Sequence, residues 1–215
     1  MKKNIFVILL AMFVSFTAMP DEYSLFAGNA YTYNDFSKSL DKTQFLIKYD
    51  DSAMFEYSSG YFTGIGGTYY LFTENLTEKI WIYLSENDLQ TIRNAIIKYQ
   101  DWVKLAKEKQ LEIDKKIPDL IIRTYVSWKL FDKWYYASGL ILEFTVFSQN
   151  PQRHELVITS NKVTPDSNPF IDIELNPLYF EEKEAADFLS CLDESNIIKK
   201  KEEYNKKKEM QDLFN

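Results

Sequence analysis

Apolar and polar positions alternate with a period of two through much of this chain. In QFLIKYD (44–50) the side chains of Phe45, Ile47 and Tyr49 share one face, and in KIWIYL (79–84) those of Ile80, Ile82 and Leu84 do. LILEFTVFS (140–148) places Leu140, Leu142, Phe144 and Val146 on one side and Ile141, Glu143 and Thr145 on the other. AMFEYSSG, TYYLFTEN, LIIRTYVSWKLF, KWYYAS and HELVITS are also built from residues that favour strands. NPQR (150–153) is a turn signal between two of these runs. Residues 31–43 show no period and read as an irregular lead-in or a short helix.

After Ser85 the period lengthens. Leu89, Ile92, Ile96, Tyr99, Val103 and Ala106 recur at steps of three and four, which predicts an amphipathic helix over 86–110. Ser85 is its N-cap, Asp88 completes a capping box, and Lys104, Lys107 and Lys109 suit the negative end of the helix dipole. Ala185, Phe188, Leu189 and Leu192 predict a second helix at about 180–195, and the lysine-rich segment from 196 to 215 predicts a charged helical tail.

The fold class expected is therefore α+β: mainly antiparallel sheet with one long and one shorter packed helix. Ile80, Ile82, Leu84 and Ser85 are matched by Ile171, Ile173, Leu175 and Asn176 at a constant offset of 91, so two ββββα pseudo-repeats are expected. Two such units resemble the arrangement of the PUR-repeat and Whirly nucleic-acid-binding proteins in architecture alone, since no motif residues match. Charge points away from nucleic acid as a partner.

That charge follows from the N-terminus. MKKN precedes IFVILLAMFVSFTAM, a run of apolar and small residues without charge, and Pro20, Asp21 and Glu22 end it. A basic start, a short apolar run and an abrupt polar boundary describe a secretory signal peptide of bacterial type over residues 1–20, with cleavage as late as residue 30. The run is short for a spanning helix, so contact with a membrane is expected only through this segment if it is left uncleaved. Removing residues 1–20, which hold Lys2, Lys3 and no acid, takes 25 bases to 23 against 32 acids and the net charge from −7 to −9. The expected product is a periplasmic or extracellular domain over 31–195 with the tail at 196–215.

Few chemistries fit. Three of the six glycines lie in YFTGIGGTYY (61–70), but no Lys-Ser/Thr pair and no helix follow Gly67, so a turn between strands is expected rather than a phosphate cradle. The single cysteine, Cys191, is expected to be buried, and the single histidine, His154, to lie at a surface turn. One His and one Cys imply no metal site, and no cofactor motif is present. Glu143, which interrupts an apolar strand, is the lead for a glycan-acting hydrolase working through carboxylates. The main candidate for binding is the aromatic cluster Trp128, Trp134, Tyr135 and Tyr136, in which Trp134 and Tyr136 share a side that Tyr135 does not. Together these features predict an exported, non-enzymatic protein that binds another protein or an envelope or glycan component.

Overall fold

The computed structural model describes residues 23–213 except 35–38, 51–53, 58–59, 64–67, 75–77 and 166. The expected α+β sheet with helices packed on it is not what forms. Eight antiparallel strands close into a barrel, in the order β1, β10, β9, β8, β7, β6, β5, β2 and back to β1. The barrel strands are β1 (Tyr23–Asn34), β2 (Ser39–Asp50), β5 (Thr68–Glu74), β6 (Glu78–Leu84), β7 (Asp114–Leu130), β8 (Lys133–Asn150), β9 (Arg153–Ser160) and β10 (Leu178–Phe180). A separate two-stranded sheet of β3 (Met54–Tyr57) and β4 (Gly60–Thr63) is inserted between β2 and β5. The helices are α1 (Glu86–Lys109), α2 (Glu182–Cys191) and α3 (Glu194–Asp212).

The reason for the difference lies mostly in residues 31–43. Of these, 31–34 fall in β1 and 39–43 in β2, which pair from Tyr23↔Tyr49 to Asn34↔Ser39, and β1 also meets β10 at Tyr31↔Tyr179. A strand at the start of the chain thereby joins one at its end, and the twisted sheet closes on itself. Gly64, Gly66 and Gly67 lie outside the described residues, as does the apolar segment 1–20. The strands flanking the glycines, β4 and β5, belong to different sheets and do not pair as a hairpin.

Eight strands leave an interior just wide enough for side chains to fill. Phe45, Ile47, Leu71, Ile82, Leu142, Phe144, Val146, Leu156 and Phe180 point inward and are buried in one cluster. This alternation has the opposite sense from that of a membrane-spanning barrel, which turns its apolar side chains outward. No helix among the described residues is long and apolar enough to cross a membrane.

The helices close what the strands leave open. β6 pairs with β7 only as far as Ile82↔Val126, while β7 and β8 run on together to Asp114↔Phe147. Helix α1 packs against β7, β8 and β9, and its stripe of Leu89, Ile92, Ile96, Tyr99 and Val103 joins the barrel's own cluster. Its first turn is capped as the sequence implies: Ser85 Oγ accepts from the Asp88 amide at 3.2 Å, and the Asp88 carboxylate accepts from the Ser85 amide at 2.8 Å. Next to α1, α2 brings Phe188 against the rings of Phe26, Phe45 and Phe180, with centroids 5.6, 4.9 and 5.7 Å away. A Cβ on Gly28 would come within 2.5–2.7 Å of the Phe26 and Phe45 rings, so this packing leaves room only for glycine.

The duplication expected at an offset of 91 does not hold. Ile171 to Asn176 form no regular strand; within them Ile173 makes a single bridge to Val163. The strand before α2 is β10, and the cap position is Glu181, whose side chain makes no capping bond. In α3, Lys201 lies over the Tyr49 and Tyr69 rings at 4.2 and 5.0 Å, while Met210 and Leu213 stay exposed.

Ser85→Ala removes the acceptor of the α1 capping box. It is expected to lower the unfolding free energy by about 0.5–2 kcal/mol in a urea titration, and an unchanged midpoint would rule out that role.

Candidate functional site

The four aromatic residues singled out by sequence do not form one platform. Trp128, on β7, is 0% exposed and stacks inside the barrel on Tyr135, which its strand pairing sets opposite, with centroids 5.6 Å apart. Its indole N–H is buried without a hydrogen-bond partner. Trp134 and Tyr136 face the other way. Their rings lie outside the barrel, 6.3 Å apart and within 17° of parallel.

One glycine decides this. Leu142 and Leu140 are opposite Ile122 and Thr124, but Ser138 and Ala137 are opposite Tyr125 and Val126, so Gly139 is the extra residue of a β-bulge. Its φ of +81° is one that residues with a Cβ rarely adopt. The bulge shifts the phase of β8: even-numbered Leu140, Leu142 and Phe144 point inward after it, and odd-numbered Tyr135 and Ala137 before it. Without Gly139 the inward phase would take Trp134 and Tyr136.

Sequence reasoning missed the rest of the outer face, because its residues come from four other strands. Cross-strand pairing lines up Phe72 of β5 with Trp81 of β6, then Trp81 with Ser127 of β7, then Ser127 with Tyr136. Trp81 packs on Phe72 and Trp134 at 4.8 and 4.7 Å, and Tyr70 packs on Tyr83 at 5.0 Å. Lys48 of β2 caps the row, its ammonium 3.9 Å from the Phe72 ring centroid. Tyr125 is 53% and Tyr136 37% exposed, whereas Tyr70 and Phe72 are buried although they face outward. The signal for this face was the second phase of each alternating strand: wherever one phase fills the barrel, aromatic residues in the other must lie outside.

The groups with reactive potential differ in their exposure. His154 is buried rather than at the surface, because its strand turns it inward beside Tyr99. The Ile113 amide donates to Ser148 Oγ at 2.8 Å, Ser148 Oγ lies 2.5 Å from His154 Nδ1, and Nε2 lies 3.1 Å from the Pro151 carbonyl. Since the carbonyl only accepts, Nε2 carries the proton, and the serine hydroxyl donates to Nδ1. Every polar group of this Ser–His pair is used within the protein, and the imidazole has no path to a substrate. Glu143 lies on the outer wall in an ion pair with Lys116 at 2.6 Å. Cys191 is half-buried rather than buried, and desolvation followed by the Asp187 carboxylate pushes its thiol pKa up, so it stays protonated.

Among the described residues the one fully buried carboxylate is Glu155, 0% exposed on the outward side of β9. Its Oε1 accepts from Gln149 at 2.8 Å and lies 3.6 Å from Arg153, and its Oε2 has no partner. Desolvation raises its pKa, opposed by Arg153 and assisted by Glu181. Among the described residues no group of His, Cys, Asp and Glu is arranged to hold a metal ion.

No family model, no curated protein and no solved structure matches this chain.

The inward and outward rings are separable by mutation. Trp128→Ala is expected to cost about 3–5 kcal/mol as a large core truncation, and Trp134→Ala well under half of that. Equal losses in urea titrations of the two variants would contradict the placement of the rings.

Proposed function

We propose that this is an exported, non-enzymatic binding protein whose outer aromatic face docks a protein or a cell-envelope component. The observation that carries the reading is the near-parallel pair of Trp134 and Tyr136, held outward by the Gly139 bulge and backed by Trp81. Flat rings fixed on a strand lose little freedom on binding and offer both apolar faces and polar edges. A rigid sheet holds them more firmly than a loop would. Lys48, and Lys79 and Lys129 in their pairs with Glu74 and Asp132, supply charge along the same face.

Two groups that could perform catalysis support the non-enzymatic reading. A general acid must reach its substrate, and Glu155 is walled off. The Ser148–His154 pair is spent on a backbone amide and a carbonyl. Export rests on the basic-then-apolar N-terminus. Processing must spare β1: a cut after Ala30 would remove the part of the strand that pairs with Thr43 to Tyr49 of β2.

One fractionation experiment tests both parts. The full chain and a Trp134→Ala, Tyr136→Ala double variant are expressed in a bacterium, and soluble exported protein, envelope and cytoplasm are separated. The expected result is export of both, with wild type sedimenting with the envelope or a crosslinkable partner and the double variant released at least about tenfold more. Retention of wild type in the cytoplasm defeats the export half, and identical sedimentation of the two proteins defeats the aromatic face.

A further inference from the structure

Barrel closure and acid chemistry coincide at one place. Among the described residues β10 is three residues long and pairs with β1 only at Tyr31↔Tyr179, while its pairing with β9 ends at Phe180↔Leu156. Continuing that register by one step sets Glu181, the cap residue of α2, opposite Glu155. Like charges directly opposite one another on neighbouring strands are destabilising.

Arg153, on β9, lies between them. Its guanidinium is 2.5 Å from Glu181 and 3.6 Å from Glu155. Glu184, in the first turn of α2, adds a carboxylate whose Oε2 is also buried without a partner. The groups that face this cluster are Gln149 from β8, Tyr31 from β1, Tyr99 from α1 and Glu182 from α2, the last paired with Lys107. Both phenols have their pKa raised, Tyr31 by burial and then Glu184 and Glu181, Tyr99 by burial and then Glu182, Glu155, Glu181 and Glu184. Lys107 is committed to Glu182, Arg153 lies between Glu155 and Glu181, and the Glu184 oxygen in the first turn of α2 is buried without a partner.

We propose that Glu155, Glu181 and Glu184 around Arg153 form a proton-operated clasp, in which uptake of one proton by the cluster holds β10 and the start of α2 against β9 and closes the barrel. Neutral Glu155 keeps the Gln149 hydrogen bond at Oε1 and carries the proton on Oε2, the oxygen that no donor reaches. Deprotonated, it places an unpaired charge oxygen in a dry site opposite Glu181. In the opened form Glu155 is solvated and holds its proton less tightly than in the closed form. Closure is therefore favoured below the solvated value and loses that stabilisation as pH rises through the raised closed-state value. The clasp is independent of what the aromatic face binds.

Amide hydrogen exchange, corrected for intrinsic rates, reads the clasp directly at residues 178–184, compared between about pH 5 and about pH 8. Wild type is expected to lose protection there at the higher pH, by up to roughly tenfold for each pH unit separating the two Glu155 values. Protection in β6 and β7 falls less. Glu155→Gln is expected to keep its low-pH protection at both values, and Glu143→Gln to behave as wild type. If Glu155→Gln does not fold, Glu184→Gln replaces it, with a reduced difference expected. Protection in wild type that does not change with pH overturns the clasp, and so does a full difference surviving in the Glu155 or Glu184 variant.

Discussion

A barrel of eight antiparallel strands needs a last pair to close it, and here that pair is nearly missing. Among the described residues β1 and β10 meet at Tyr31 and Tyr179 alone, and β10 contributes only three residues. An open sheet edge exposes unpaired amides and carbonyls, and closure is the way a barrel removes it. What backbone pairing does not supply, packing does. Phe188 of α2 sits among Phe26, Phe45 and Phe180, and Gly28 permits those rings to approach the β1 backbone. The seam is closed by a helix and four aromatic rings.

Much of the remaining structure serves that arrangement. Helix α1 does for β6 and β7 what α2 does for β1 and β10, covering inward side chains where strand pairing ends. Ion pairs tie the helices together and to the wall: Arg93 with Asp193, Lys107 with Glu182, and Arg153 with Glu181. Each is exposed enough to be weak by itself. Their value is positional, since they fix the ends of α2 while Phe188 fills the core. Among the described residues the inward side chains fill the barrel, and the opposite phase of each strand lies outside. There the Gly139 bulge turns Trp134 and Tyr136 outward and Tyr135 inward.

Local features were legible in the sequence where local rules fix them. Helix α1 and its Ser85–Asp88 box follow from spacing and capping chemistry. The turn between β8 and β9 follows from Asn150, whose side-chain oxygen accepts from the Gln152 and Arg153 amides at 2.9 Å each. Closure was not legible, because it depends on residue 31 meeting residue 179, a contact that no window of sequence contains. The run 31–43 shows no alternation, yet 31–34 and 39–43 pair as strands, since backbone pairing itself requires no apolar period. Trp128 and Trp134 carry the same side chain six positions apart, and only the barrel's inward phase separates the filler from the surface ring. Nothing in the residues around Glu155 marks it as buried. Its burial comes from its position at the seam, beside β10 and the start of α2.

The direct test of this account is Phe188→Ala, followed by urea unfolding and residue-resolved amide exchange. The seam account predicts a loss of about 3–5 kcal/mol, with exchange rising first in 23–31 and 178–184 while β6 and β7 stay protected. A loss under about 1 kcal/mol, or exchange rising evenly through all eight strands, would contradict it.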